Sequence, residues 1–358
     1  MDLRVLSKPV TSLMKTRLLQ QTTFWSQVKN RLGWKTLAFD LEVDHLPFGD
    51  VLIMVKDVGS GRSIAYSPFG PEHVPEGEAR GLYLSALSSE LRASLGAPCI
   101  FVRWDLPWIS PYAEEEDRFD DHGNWLGPPE TRLRELRMNW GVGEVGLRKA
   151  PTDVLPPDTF IIDIKTGTDE ILRKMKPKTR YNIGLASRRG VRVRKGSQRD
   201  LDTWMGLYRQ TARRNGIVSH TRRHFEALLG HSSRDADARL LIAETRGRPL
   251  AAMFLSTSSD RASYLYGASS DEGRNLMAPY ALQWEAIQRA QRAGCTGYDL
   301  FGSAPNADPD HPLHGLYRFK SGFGGRFLHR QGSWDYPFDQ HAYSIYIARE
   351  SASVGFHL

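Results

Sequence analysis

Residues 239–301 restrict what this chain can fold into more than any other stretch. Residues 239–244, 250–257 and 262–268 are apolar runs of strand length, joined by turns at Thr245-Arg246-Gly247-Arg248 and Ser259-Asp260. Strands this close in sequence pair as an antiparallel meander, because a parallel pair needs a crossover of about a dozen residues. Residues 279–293 then read as a helix, with Pro279 in the first turn and Gly294 past the end, and 297–301 as another strand. Upstream, 168–174 and 178–189 read as helices parted at Pro177. Residues 200–215 place Leu201, Trp204, Leu207, Tyr208 and Thr211 at helical spacing before Gly216. Residues 224–229 form a further helix closed by Gly230.

Helices, three meandering strands, a loop, a helix and a strand follow the order of an acyl-CoA N-acyltransferase (GNAT-like) domain. In that fold a glycine-rich loop before the last helix offers its backbone N–H groups to a pyrophosphate. Here the loop is Gly273-Arg274-Asn275-Leu276-Met277-Ala278, and Leu276 and Met277 place side chains where close backbone approach needs glycine. The coenzyme A cradle therefore reads as degraded, which implies another activated acyl donor. The first half is a weaker version of the same grammar. It has a short helix at 22–29 with Phe24, Val28 and Leu32 on one face, and strands at 34–39, 50–58 and 63–66. A turn at Ser67-Pro68-Phe69-Gly70-Pro71, a helix at 81–95 and a strand at 99–104 follow. Residues 105–157, rich in Pro, Gly and charge, read as an irregular excursion ending at a boundary near 160. The 358 residues exceed the usual span of a single core, so two domains are expected.

With 40% hydrophobic and 25% charged residues the chain has globular composition. Cys99 and Cys295 are too few for a disulfide framework, and their spacing to histidine does not suggest zinc. His311 and His314 lie in a Pro/Asp loop without a carboxylate at ligand spacing, so neither metal nor cofactor is expected. No apolar run reaches the length of a signal peptide or membrane span, which implies a cytoplasmic protein with at most peripheral membrane contact. The net charge of +7 favours polyanionic partners.

Several short pieces, in order, resemble the FemABX-type peptidoglycan bridge aminoacyltransferases. They are 21–29 (QTTFWSQVK), 66–71 (YSPFGP), Arg103-Trp104-Asp105, 178–183 (KTRYNI), 264–269 (YLYGAS) and 316–325 (LYRFKSGFGG). No heptad insertion occurs between 200 and 240, so the chain resembles the compact, FemX-like members without a coiled-coil arm. Phe69 stands where family members often carry Arg. The resemblance implies an α/β (α+β) fold of two tandem GNAT-like domains. The first, 1–160 with 332–358, would bind a peptidoglycan precursor. The second, 161–331, would bind aminoacyl-tRNA and carry catalysis. The implied activity is non-ribosomal transfer of an amino acid from aminoacyl-tRNA to the stem peptide of a UDP-linked or lipid-linked muropeptide, by a monomer.

Aminolysis of an activated ester needs positioned substrates and a stabilised oxyanion. Lys320 is the cation the family pattern provides, and Phe319 offers an apolar wall or stacking face for the tRNA end; the plain alternative is a surface lysine beside a core phenylalanine. Asp105 can orient or deprotonate the attacking amine, or else pair with Arg103 or Lys29. Lys29, with Lys35 second, can hold a diphosphate. Tyr66, Tyr264, Tyr266 and Arg180 are further candidates for substrate contact, with core packing the expected role of at least one tyrosine. Ten cations and no acid lie between Arg173 and Lys195, and Arg188, Arg189, Arg192 and Arg194 are the candidates for tRNA phosphates. A solvated or lipid-facing basic surface is the alternative. Two other functions remain open: a coenzyme A-dependent N-acyltransferase acting on a small amine, and a non-catalytic RNA- or precursor-binding module.

Overall fold

The computed structural model describes residues 2–121, 123–143 and 146–352. The chain divides into two compact units. Unit one comprises Met1–Met14, Gln20–Pro157 and His329–Leu358, of which 353–358 lie outside the described residues; unit two comprises Lys15–Leu19 and Asp158–Leu328. The short segment Lys15–Leu19 is held in unit two by a bidentate ion pair from Arg17 to Asp260 (2.6 and 2.7 Å) and a bond from Ser258 Oγ to the Thr16 carbonyl (2.7 Å). Among the described residues no helix is long and apolar enough to cross a membrane.

Unit one opens with β1 (Leu3–Lys8), α1 (Thr23–Arg31), β2 (Lys35–Val43), β3 (Leu46–Gly59) and β4 (Arg62–Ser67). Next come α2 (Ala79–Leu95), β5 (Cys99–Ile109), α3 (Thr131–Met138) and β6 (Arg148–Lys149). Thr22 caps α1 by accepting from the Trp25 N–H (3.1 Å), satisfying one of the orphan donors of the first turn. Strands β1 to β4 are antiparallel neighbours in sequence order, and α2 carries the chain over to β5, parallel to β4. Tyr83, Leu84, Leu87 and Leu91 of α2 pack on Phe39, Val51, Ile53 and Trp104 to make the core. Gly81 is required, since a Cβ there would sit 1.5 Å from the Met138 carbonyl oxygen at the end of α3.

Unit two contains β7 (Asp158–Asp163), α4 (Thr168–Lys174), α5 (Pro177–Arg188), β8 (Arg192–Lys195), α6 (Leu201–Asn215) and α7 (Arg222–Leu229). It continues with β9 (Ala236–Thr245), β10 (Arg248–Ser258), β11 (Arg261–Ser269), α8 (Ala278–Arg292), β12 (Gly297–Asp299) and α9 (His314–Ser321). Strands β8 to β11 form an antiparallel meander; α8 crosses over to β12, parallel to β11, and β7 adds antiparallel to β12. The chain then enters β13 (Arg326–Pro337), which from His329 on belongs to unit one and pairs antiparallel with β5, and ends the described fold with α10 (Gln340–Ala352). Both units thus follow one scheme: a four-stranded meander, a crossover helix, a parallel fifth strand and an antiparallel sixth.

The expectation of an irregular 105–157 is corrected at both ends. β5 runs on to Ile109, and α3 and β6 lie within the segment. Pro107 is tolerated because the register shifts there: Arg330 pairs Ile109 and Gly332 pairs Leu106, so Pro107 falls in a bulge where a ladder bond is already lost.

Candidate functional site

Lys320 lies in the last turn of α9, and its side chain runs inward rather than into solvent; the residue is 3% exposed. Its Nζ donates to the carbonyl oxygens of Phe301 (2.7 Å) and Gly302, and stands 5.3 Å from the Tyr264 ring centroid. The two carbonyls are brought round by a tight turn after β12. Phe301 takes φ of +56°, a conformation costly for a phenylalanine, and Asp299 Oδ1 accepts the Phe301 N–H (2.8 Å) and the Thr159 hydroxyl (2.6 Å). Burial pushes the ammonium down to about 7, against a smaller opposing pull from Asp299. The surface-lysine alternative is therefore ruled out. An ammonium has three donors, and two are engaged by backbone carbonyls.

The glycines after Lys320 have a steric reason. Gly324 has φ of +77°, and a Cβ there would lie 2.4 Å from the Lys174 carbonyl oxygen, so this turn can lie against α4 only with glycine. Phe319, half-buried, packs edge-on to Tyr280 and Phe323 and forms part of the wall of a cavity of about 470 Å³. The cavity opens at the first turn of α8 and is otherwise lined by Leu250 of β10 and residues of the 269–277 loop. Gly273 keeps a left-handed φ of +67°, but the helix N-cap is Met277, also left-handed, and Pro279 removes a first-turn N–H.

Tyr264 and Tyr266 differ in role. Tyr264 lies against Lys320, whereas the Tyr266 hydroxyl bonds His224 Nε2 (3.0 Å) and its ring packs edge-on to His224 and Phe225 of α7. Arg180 caps α4, donating to the Arg173 carbonyl (3.2 Å) and to that of Met175, so its guanidinium is spent on orphan helix carbonyls. Arg194 is likewise engaged, ion-paired to Asp200 (2.7 Å) and Glu244 (2.9 Å). Those two carboxylates already balance its charge within the fold. Arg188, Arg189 and Arg192 are exposed and, with Arg246, line a groove of about 670 Å³.

In unit one, Asp105 is 1% exposed, and its carboxylate accepts from the Tyr66 hydroxyl, the Ser333 hydroxyl and the Leu155 N–H (3.0 Å). Burial raises it to about 6, against those three bonds. Asp105 and Tyr66 therefore hold each other in the interior. Arg103 does not pair with Asp105; it binds Asp335 and Glu350 bidentately, and all three side chains are fully buried. Lys29 stands over the rings of Trp25 (5.5 Å) and Trp34 (5.3 Å), and Lys56 lies 5.1 Å from the same Trp34 ring. Burial, and secondly Lys56, lowers Lys29 to about 8. Where family members often carry Arg, the Phe69 ring is instead covered by the Arg330 guanidinium at 4.7 Å. The Lys29–Trp34–Lys56 arrangement was missed in sequence; a lysine at 56 has no local signal linking it to Trp34.

The family model of the FemAB family matches residues 11–246 and 232–350. The chain belongs to the FemAB family. Curated relatives include the lipid II:glycine glycyltransferases of Staphylococcus epidermidis and Staphylococcus aureus. The first is 22% identical over 274 residues, spanning 60% of this chain and 65% of the relative; the second is 22% identical over 258 residues, spanning 54% and 61%. The match thus spans less than two thirds of these relatives' length. Among solved structures, FemX superposes with a TM-score of 0.71 at 19% identity, covering 94% of this chain and 96% of that one. A tandem GNAT protein from the clavulanic acid biosynthesis pathway gives 0.52 at 12% identity, covering 94% and 98%. The FemAB chain described here has the tandem GNAT-like fold, one copy in each unit.

Proposed function

We propose that this FemAB protein moves an amino acid from aminoacyl-tRNA to an amine of the stem peptide of a peptidoglycan precursor. The precursor is lipid-linked by analogy with the lipid II:glycine glycyltransferases this chain is similar to, with the UDP-linked form as the second candidate. The amine nitrogen attacks the ester carbonyl, the C–N bond forms, and the C–O bond to the ribose breaks. The proton lost by nitrogen ends on the ribose oxygen. The observation that carries this reading is Lys320: a buried amine with two donors on backbone carbonyls, whose protonated form, favoured below about pH 7, has a third donor that we assign to the developing oxyanion. Phe319, in the wall of the adjacent cavity, offers a stacking face to the terminal nucleoside.

Unit one is the precursor-binding domain and unit two the tRNA-binding and catalytic one. Lys29, supported by Lys56, supplies charge for the precursor phosphates. Arg188, Arg189 and Arg192 supply it for the tRNA backbone. The protein acts as a cytoplasmic monomer, meeting the membrane only at its surface. A coenzyme A-dependent reaction is disfavoured because Met277 and Pro279 occupy the helix start where a pyrophosphate needs open N–H groups.

The test is transfer of radiolabel from a panel of aminoacyl-tRNAs to UDP-linked and lipid-linked muropeptides. Ribonuclease-sensitive labelling of the muropeptide is expected. Labelling of small amines from acetyl-CoA, with none from any aminoacyl-tRNA, would overturn the reading.

A further inference from the structure

The two carbonyls that hold Lys320 are themselves held in place. β12 ends at Asp299, which pairs with Ile161 of β7. Beyond the ladder two backbone bonds still fasten the chain to β7. The Leu300 N–H donates to the Phe160 carbonyl (2.9 Å), and the Ser303 N–H to the Asp158 carbonyl (2.9 Å). Between these anchors lie Phe301 and Gly302, whose carbonyls accept from Lys320 Nζ. The turn takes this shape because Phe301 is left-handed, at φ of +56°. In that region Cβ crowds the backbone of any residue but glycine, so a phenylalanine stays there only when its surroundings oppose relaxation.

The opposing group is the Asp299 carboxylate. Its Oδ1 accepts the Phe301 N–H (2.8 Å), which closes the turn from one residue to the second after it. The same oxygen accepts the Thr159 hydroxyl (2.6 Å), which ties it to β7. Asp299 is 6% exposed and Thr159 fully buried, so water does not replace either bond cheaply. A carboxylate is also a stronger acceptor than a neutral oxygen. Its negative charge acts on the amine through space, opposing part of the effect of burial on Lys320.

We infer that Asp299 is the positioning residue for Lys320: its bonds to Phe301 and Thr159 keep the turn in the left-handed shape that offers two carbonyls to the side-chain nitrogen. The catalytic consequence rests on the transfer reading above. An oxyanion donor is effective when it is aimed before the charge develops, and two fixed carbonyls leave the third N–H of the ammonium one direction. Without the Asp299 acceptor Phe301 relaxes, the carbonyls turn away and Nζ loses that direction.

The test uses the full chain labelled with ¹³C at the ε-carbon of lysine, with Lys320→Met assigning the Lys320 signal. Asp299→Ala removes the acceptor, whereas Asp299→Asn keeps an acceptor of the same shape and removes only the charge. In Asp299→Ala the Lys320 titration midpoint should depart from the native one by about one pH unit or more, a tenfold change in proton affinity. It falls if the amine stays buried without its carbonyls, and rises if the amine escapes to solvent. In Asp299→Asn the midpoint should fall by less than that, since the turn survives. Turnover should drop at least about tenfold in Asp299→Ala with the precursor KM little changed, and return to within a few-fold of native in Asp299→Asn. Two results overturn the inference: a native Lys320 midpoint in Asp299→Ala, which would make Asp299 merely structural, or equal damage in both variants, which would leave only its charge. Should Asp299→Ala fail to fold, Asp299→Asn decides, because a midpoint displaced by a full unit or more there would again leave only the charge. The titration needs no transfer activity. A native chain that transfers from no aminoacyl-tRNA would remove the transfer reading, with the positioning still decided by the midpoints.

Discussion

Lys320 and Asp105 are both ionisable groups taken out of water, and they differ in what surrounds them. The ammonium meets two carbonyl dipoles and, among the described residues, no ion-paired carboxylate, whereas the carboxylate accepts three hydrogen bonds. If Lys320 serves the oxyanion, Lys320→Met lowers kcat by about two to three orders of magnitude with little change in precursor KM. Its stability signature has a definite sign. The folded value near 7 lies below the unfolded 10.5, so between those pH values the unfolded chain binds the extra proton and native stability rises with pH. Thermal melts of native and Lys320→Met proteins should therefore diverge in favour of the native chain from about pH 7 to about pH 10.5. A parallel course would show that burial leaves the amine unperturbed. Asp105 is shifted the other way, from 3.8 to about 6; its contribution is fully present below 3.8 and is lost as pH rises through 6. Asp105→Ala strands three buried donors and should cost about 2–4 kcal/mol in denaturant titration. Asp105→Asn, which keeps an acceptor, should retain transfer within a few-fold; a loss of turnover without a loss of stability would instead make Asp105 the base.

At the scale of elements, α10 is tied to the sheet of unit one by the Arg103–Asp335–Glu350 cluster. Tyr343 adds a bond to Asp335 (3.0 Å) and Thr152 one to Glu350 (2.9 Å). Removing the cation leaves two buried carboxylates uncompensated, so Arg103→Met should destabilise by about 3–5 kcal/mol and open α10 to proteolysis. An unchanged urea midpoint would mean that the carboxylates protonate at little cost. The same cluster shows why parts of the fold were hidden in sequence. β9, β10 and β11 were legible because apolar runs alternate with short polar turns. β13 was not: it buries His329, Arg330, Gln331, Ser333 and Asp335, a composition that reads as surface. β8 is Arg-Val-Arg-Lys, a charged edge strand indistinguishable from a basic loop. In the candidate site Lys320 was legible from its motif, but the Phe301 and Gly302 carbonyls were not, because a positive φ at a phenylalanine has no sequence signal. Ser333 lies 228 residues from the Asp105 it bonds, beyond any local pattern.

For the whole molecule, the excess of +7 matters less than which cations are left unmatched. The run from Arg173 to Lys195 contains no acid, yet folding brings carboxylates to several of its members. Arg173 and Lys174 reach Glu170, and Arg194 reaches Asp200 and Glu244. Arg188, Arg189 and Arg192 remain exposed around a common groove with Arg246. Each arginine that displaces counterions from tRNA steepens the log–log dependence of affinity on salt by about 0.7–0.9. Replacing Arg188, Arg189 and Arg192 with Ala should therefore flatten that slope by about two to three, weakening binding most at low salt. Arg194→Ala should leave the slope unchanged, because its charge is already balanced within the fold and releases no counterion on binding. The paired comparison separates phosphate contact from general basicity: net charge falls in both variants, but only the unmatched arginines should change the slope. Equal flattening per charge removed would assign the effect to the long-range field of a basic protein, and an unchanged slope in the triple variant would move the tRNA contact away from this groove.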